Sequence, residues 1–253
     1  MNAVGFASLT FACAFGGAIL GTYIRLVVPP AHLSKESQDV IRLGMGLVAT
    51  MTALLLGLVT AAARTAFDSQ DALVRTAAVN IVTLDRLLAR YGAETASTRG
   101  LIRRAVAYRV EMTWPADGSA GSGLTKREAT PTVEEIEDQI LRLSPATEAQ
   151  RWLKTEALKL SEEILKARWR TLDAQDRSIS TVFLTAVICW LTVTFVSFGL
   201  YTKPNATVLS VLFVAALSVA GSVFLIVELD GPFDGVIKIS SGPMRYALSQ
   251  LGQ

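Results

Sequence analysis

Residues 40–64 read VIRLGMGLVATMTALLLGLVTAAAR. The 21 residues from Leu43 to Ala63 carry no charge. As a helix rising about 1.5 Å per residue they span roughly 30 Å, the hydrocarbon thickness of a bilayer. The stretch is not uniformly apolar. Gly46, Thr50, Ala53, Gly57 and Thr60/Ala61 recur at helical spacing and place small or weakly polar residues on one face. Leu47, Met51, Leu54 and Leu58 line another, and Arg42 and Arg64 stand at the two ends. No Pro or Gly follows until Gly92, so the helix is expected to run on out of the membrane.

The whole composition agrees with a membrane setting. Of 253 residues 51% are hydrophobic and 18% charged, with mean hydropathy +0.41, against about 25% charged in soluble domains. A net charge of +2 by itself argues neither way on nucleic acid. The expected partners are the lipid bilayer, further copies of the chain and small inorganic ions, and not nucleic acid. Cys13 and Cys189 lie in apolar runs without CxxC spacing, which excludes a disulfide framework or a zinc site as the organising feature. The one histidine, His32, has no acid or nucleophile placed to work with it. No nucleophile–base pair or metal cluster is legible, so the chain is expected to be no enzyme and to use no cofactor.

Outward from the opening stretch, three more apolar spans appear. Span one covers about residues 4–28, too long for a signal sequence and without its basic start. Gly16, Gly17 and Gly21 give it a small face, with Gly17-x-x-x-Gly21 a GxxxG. Pro29-Pro30 stops it, and Ser34 or Ser37 is placed to cap span two. Span three, 179–201, has a face of Thr181, Thr185, Cys189 and Thr192, expected to pack against other helices with its hydroxyls bonded to the backbone. After a Lys203-Pro204-Asn205 turn, span four covers 206–227, with Ser218, Gly221 and Ser222 near one face, and ends at Glu228.

Residues 65–177 are different material, with 17 Lys/Arg balanced by 17 Asp/Glu. Leu73, Ala77, Ile81, Leu84, Leu88 and Tyr91 continue a stripe from span two. A helix is expected over 98–113, closed by Trp114-Pro115, then a Gly/Ser-rich loop over 116–130. Thr132 heads an acidic first turn. Ser144-Pro145 reads as an N-cap followed by proline. From there one helix of about 50 residues is expected to continue into span three, with Trp152, Leu153, Ala157, Leu160, Ile164, Ala167 and Trp169 near one stripe. The two long arms should run antiparallel through Ile81, Leu84, Leu88 and Leu153, Leu160, Ile164. The tail turns at Gly231-Pro232 and closes on a short amphipathic helix capped by Ser241, with Met244, Ala247, Leu248 and Leu251 inward.

The fold class is therefore all-α: an integral membrane protein of four transmembrane helices with a cytoplasmic helical bundle inserted between the second and third. Its segments are 1–64 (two spans), 65–177 (cytoplasmic helices), 178–228 (two spans) and 229–253 (tail). One side of the membrane then holds 20 of the 24 Lys/Arg, and that side is expected to be the cytoplasm, with both termini there.

FGGAILGTYIRLVVPPAHLSKESQDVIRLGMGLVATMTALLLGLV, LDRLLARYG, FGLYTKPNATV and FLIVELDGPFDGVIKISSGP, in this order, resemble the bacterial bestrophin-like domain proteins. Bestrophins are pentameric channels, mostly for anions, whose second helix lines the pore. The resemblance implies a homo-oligomer, a pentamer if the ring number carries over, in the bacterial inner membrane. It also implies pore-lining residues among Gly46, Thr50, Ala53, Gly57, Thr60 and Arg64. The chain departs from bestrophins in having no proline-interrupted apolar run in span two. Where bestrophins carry a dense calcium-binding acidic run, it has only Glu228, Asp230 and Asp234. Those three are cation-binding candidates, set against a turn whose carboxylates bond backbone amides. The small face of span two is set against close helix packing, and the channel against a membrane-anchored scaffold or signalling protein whose cytoplasmic helices bind a partner.

Overall fold

Proline, glycine and polar turns cut the apolar and amphipathic runs into separate helices. The computed structural model describes residues 2–27, 35–115, 132–176, 181–202, 205–233 and 235–253. Among these the chain forms α1 (Ala3–Val27), α2 (Lys35–Tyr91), α3 (Ala96–Thr113), α4 (Val133–Leu141), α5 (Glu148–Asp176), α6 (Thr181–Tyr201), α7 (Ala206–Asp230) and α8 (Gly242–Gln250), with a 3-10 turn at Ala93–Thr95 and no strand. α1, α2, α6 and α7 are long and apolar enough to cross a membrane. Among the described residues the chain is all-helical, and its four apolar helices make it a membrane protein. It divides into two units, Met1–Phe67 with Ser178–Lys238, and Asp68–Arg177 with Ile239–Gln253. Helix α2 gives its first half to one and its second half to the other, and the tail read as 229–253 is shared between them.

In the first unit, α1 and α6 meet backbone to backbone. A Cβ on Gly17 would lie 3.1 Å from the Thr192 carbonyl oxygen. One on Gly21 or Gly199 would run into the carbonyl of Val196 or Ala18. The GxxxG thus works inside the chain, whereas Gly16 faces open space. α7 joins through Ala14, Ala18, Phe195 and Ala216, with Phe213 edge-on to Phe11 and Phe15 at 5.3 and 5.5 Å. Leu184, Ile188 and Val223 form a second cluster, against which Leu56 of α2 packs. The expected packing face of span three holds at Thr192, which lies against Gly17 of α1, and not at Thr185 or Cys189. Leu184, Val187, Ile188, Leu191 and Phe195 are buried, while Thr185 and Cys189 are exposed. Bulky side chains supply more apolar contact than hydroxyls do, and the Thr192 hydroxyl donates to its own helix at Ile188 O, 2.7 Å. Ser218 and Gly221 of α7 are likewise exposed. α7 runs two residues past Glu228, and only from Ala216 onward is any of it buried.

In the second unit, Leu87, Tyr91 and Leu153 form a core with Leu143 and Leu160, and Ile81, Leu84 and Leu88 are buried as the stripe requires. The start of α5 meets the end of α2, where the Gln150 side chain donates to Tyr91 O at 3.1 Å. Gly92, at φ 151°, ends α2. Thr132 forms a full capping box with Glu135. α5 begins at Glu148 and not after Ser144-Pro145, because Thr147 is the better-supported cap. Its hydroxyl accepts from Gln150 N at 3.2 Å, and Gln150 Oε1 accepts in return from Thr147 N at 3.3 Å. Trp152 and Trp169 leave the expected stripe and are 59% and 61% exposed; the buried line of α5 is Leu153, Ala157 and Ser161.

The tail docks through Ile239, Met244, Ala247 and Leu251, and the Trp114 indole donates to Ile239 O at 2.8 Å. Ser241 precedes α8 without capping it by a side-chain bond; its hydroxyl accepts from Arg245 Nε at 2.9 Å. Ser37 lies inside α2 and does not cap it. Pro29-Pro30, His32, Ser34, the 116–130 loop, the Lys203-Pro204 turn and the 177–180 junction of α5 with α6 lie outside the described residues.

Candidate functional site

At 100° per residue, the membrane half of α2 presents three faces. Thr52 and Ala63 lie on the buried one, with Leu56 against α6 and α7. Leu47, Met51, Leu54 and Leu58 form a second, which is exposed. Gly46, Thr50, Ala53 and Gly57 form the third. All four are exposed, and nothing lies within 4 Å of a Cβ built on Gly46 or Gly57. Thr60 is half-buried at its edge, and exposed Arg64 ends it, its guanidinium 5.8 Å from the Phe67 ring centre. The six residues singled out from sequence thus follow one line, five of them exposed. The small residues on it are not there to admit another helix of the same protomer, as Gly17, Gly21 and Gly199 are.

The hydroxyls on this line are already committed as donors. Thr50 donates to Gly46 O at 2.8 Å and Thr60 to Leu56 O at 2.7 Å. What they offer outward is oxygen lone pairs on an uncharged surface. Positive charge enters the line at its two ends, at exposed Arg42, four residues before Gly46, and at Arg64.

In the acidic turn after α7, the described contacts of Glu228 are to backbone amides. Glu228 is buried, and its Oε1 accepts from the amides of Val236 and Ile237, the latter at 3.0 Å. The return is possible because Gly235 takes φ 84°, and any Cβ there would collide with that carboxylate. Asp230 has its own interaction partner, and Asp234 lies outside the described residues. Among the described residues no group of three or more His, Cys, Asp or Glu is gathered as metal ligands. The carboxylate-to-amide reading is the one Glu228 follows. Its partner glycine is seven residues away, and only the positive φ, invisible in the sequence, makes them a pair.

Comparison with the curated proteins and with the solved structures finds no match. The sequence model of the Bestrophin-like domain matches residues 12–244, which takes in all four spans, the helical region between them and most of the tail. The chain belongs to the bestrophin-like domain family.

Proposed function

We propose that the protein is a homo-oligomeric ion channel of the bacterial inner membrane, with α2 nearest the axis and its small face toward the ions. The observation that carries this reading is the face itself. Gly46, Thr50, Ala53 and Gly57 are left uncovered by their own protomer, as is the face of Leu47, Met51, Leu54 and Leu58 beside them, and of the two the small, weakly polar face is the one suited to water. Four spans cannot both enclose an aqueous path and shield it from lipid, so a path needs several copies. Membership of the family supports the same arrangement and a ring of subunits, five if bestrophin symmetry carries over. Arg64 at the mouth favours anions to the extent that Asp68 and Asp71, which follow it on the same helix, do not offset its charge; the hydroxyl protons of the span are spent on backbone carbonyls. No catalysis is part of this reading.

The test is ion flux from loaded liposomes holding the purified protein. Gly57→Leu adds a bulky side chain where the protomer has open space, so the fold should persist while flux falls to background. Flux that survives this change, with the oligomer intact, places the path elsewhere. A monomer with no flux under any gradient favours the scaffold, in which exposed Trp152 and Trp169 of the helical unit are contact residues for a partner.

The basic bias near the span ends puts residues 65–177 and both termini in the cytoplasm. A cysteine at exposed Thr155 should resist a membrane-impermeant thiol reagent in intact cells, and one at exposed Asn205 should react. The opposite labelling pattern reverses the topology.

A further inference from the structure

α7 is packed from Leu212 onward, and its first turns, residues 206–211, are less covered. None of residues 206–215 is buried, and the first buried position is Ala216. α1 and α6 are meanwhile locked together at Gly21 and Gly199. Before Leu212 seats against the α1 and α6 core, the chain leaves a fissure, with a groove on each side of a ridge made by Val208 and Leu212. One side has a volume of about 440 Å³ and is walled by Ile19, Gly199 and Leu209. The other, about 390 Å³, is walled by Phe198, Val211 and Ala215. Both are within the roughly 300–1,000 Å³ of ligand sites. They share Val208, Leu212 and, at one end, Thr202.

The two ends of the fissure differ in chemistry. Its floor is aliphatic and aromatic. Its mouth, where α1 and α6 finish and α7 starts, carries Thr22, Tyr23, Thr202 and Asn205. Thr22 donates to Ala18 O at 3.0 Å, and Asn205 Oδ1 accepts from Thr207 N at 2.7 Å. That leaves the Tyr23 and Thr202 hydroxyls and the Asn205 amide nitrogen as donors among the residues lining the mouth. Helix ends of membrane spans lie at headgroup depth, where tyrosine is favoured. A donor-bearing mouth over two apolar channels matches a molecule that has acceptor oxygens at one end and two hydrocarbon tails.

We propose that this fissure binds one diacyl phospholipid, astride the Val208–Leu212 ridge with one acyl chain in each groove. Its ester and phosphodiester oxygens, which only accept hydrogen bonds, take those of Tyr23, Thr202 and Asn205. Each methylene seated in a groove adds close-packed contacts, so a lipid whose two chains fill both grooves is held more tightly than one whose single chain fills one. The site does not depend on ion conduction.

The experiment is native mass spectrometry of purified protein in detergent with added dioleoylphosphatidylglycerol or its one-chain lyso form. The wild type should retain one diacyl lipid per chain under conditions that strip the lyso lipid. Leu209→Trp with Ala215→Trp, which fill the two grooves, should lower bound lipid about tenfold or more. Tyr23→Phe with Thr202→Val removes donors without changing packing. It should lower retention severalfold at an unchanged melting temperature, and it decides the matter if the tryptophan variant fails to fold. Equal retention of the one-chain and two-chain lipids, or equal retention by wild type and both variants, overturns the proposal. So does a wild type that carries no lipid while the tryptophan variant breaks the oligomer, which assigns the fissure to a second copy of the chain.

Discussion

Arg99→Met is expected to cost about 3–5 kcal/mol of stability, as breaking one side of a buried ion pair does. Asp85 sits on α2 with its side chain 1% exposed. Arg99 of α3 meets it with two bonds, Nε to Oδ1 at 2.8 Å and Nη2 to Oδ2 at 2.9 Å. That bond is also the main reason the Arg99 guanidinium holds its proton more firmly than usual. The pair anchors the tail as well, because Arg99 donates to Gln253 O at 3.0 Å and Gly252 N donates to Asp85 at 3.3 Å. Methionine fills similar space but leaves a carboxylate that water does not reach. Thermal unfolding of the detergent-solubilised protein, followed by circular dichroism, measures the loss. Adding Asp85→Leu to Arg99→Met should recover most of it, since the residual penalty lies in the orphaned charge and not in the missing attraction. A single-variant loss below about 1 kcal/mol is what an exposed pair gives, and would mean that water enters beside Asp85.

Local chemistry made much of this architecture legible before any coordinates. The uncharged run from Leu43 to Ala63 fixes a span by length alone, and Gly92, Trp114-Pro115 and Thr132 end or start helices by rules that act over four residues. Where two local signals competed, the sequence could not choose. Ser144-Pro145 and Thr147 are both sound caps. The choice fell to Gln150, which completes a box with Thr147, and to Lys154, whose ammonium takes the carbonyls of Leu141 and Leu143 at 2.8 and 2.9 Å. Trp152 is next to buried Leu153, and hydropathy cannot separate neighbours about 100° apart on a helix when both are apolar.

The candidate site divides the same way. That Gly46, Thr50, Ala53 and Gly57 share a face follows from spacing. What covers that face does not, because lipid, water and another subunit are all outside the chain. Glu228 reads as a charge at a membrane border. Its use as a clasp needs Gly235 to turn back on it, a contact across the turn that no period in the sequence announces.

The same distinction between local and tertiary meaning makes the glycines of α1 and α6 a sharp test. Gly199→Leu should remove most folded, extractable protein, and Gly21→Leu should do the same. Overpacking a core usually costs about 1–3 kcal/mol because side chains can give way. Here the obstacles are backbone, the Ala18 carbonyl and Thr22 amide for Gly199, and the Val196 carbonyl and Leu200 amide for Gly21. They cannot yield unless α1 and α6 part along the whole crossing. Gly17→Ala should be milder, since one of its near contacts is the Val196 methyl at 3.2 Å, which can rotate aside. Gly16→Leu is the control. It lies on α1 one residue from Gly17, with nothing within 4 Å of its Cβ. Within a lone protomer it should stay within about 0.5 kcal/mol of wild type, the usual range for an unpacked position. Yield after detergent extraction and the melting temperature rank the four variants. Wild-type behaviour of Gly199→Leu would show that the two helices do not cross at these glycines. Damage from Gly16→Leu equal to that from Gly199→Leu would show that another copy of the chain covers the far side of α1.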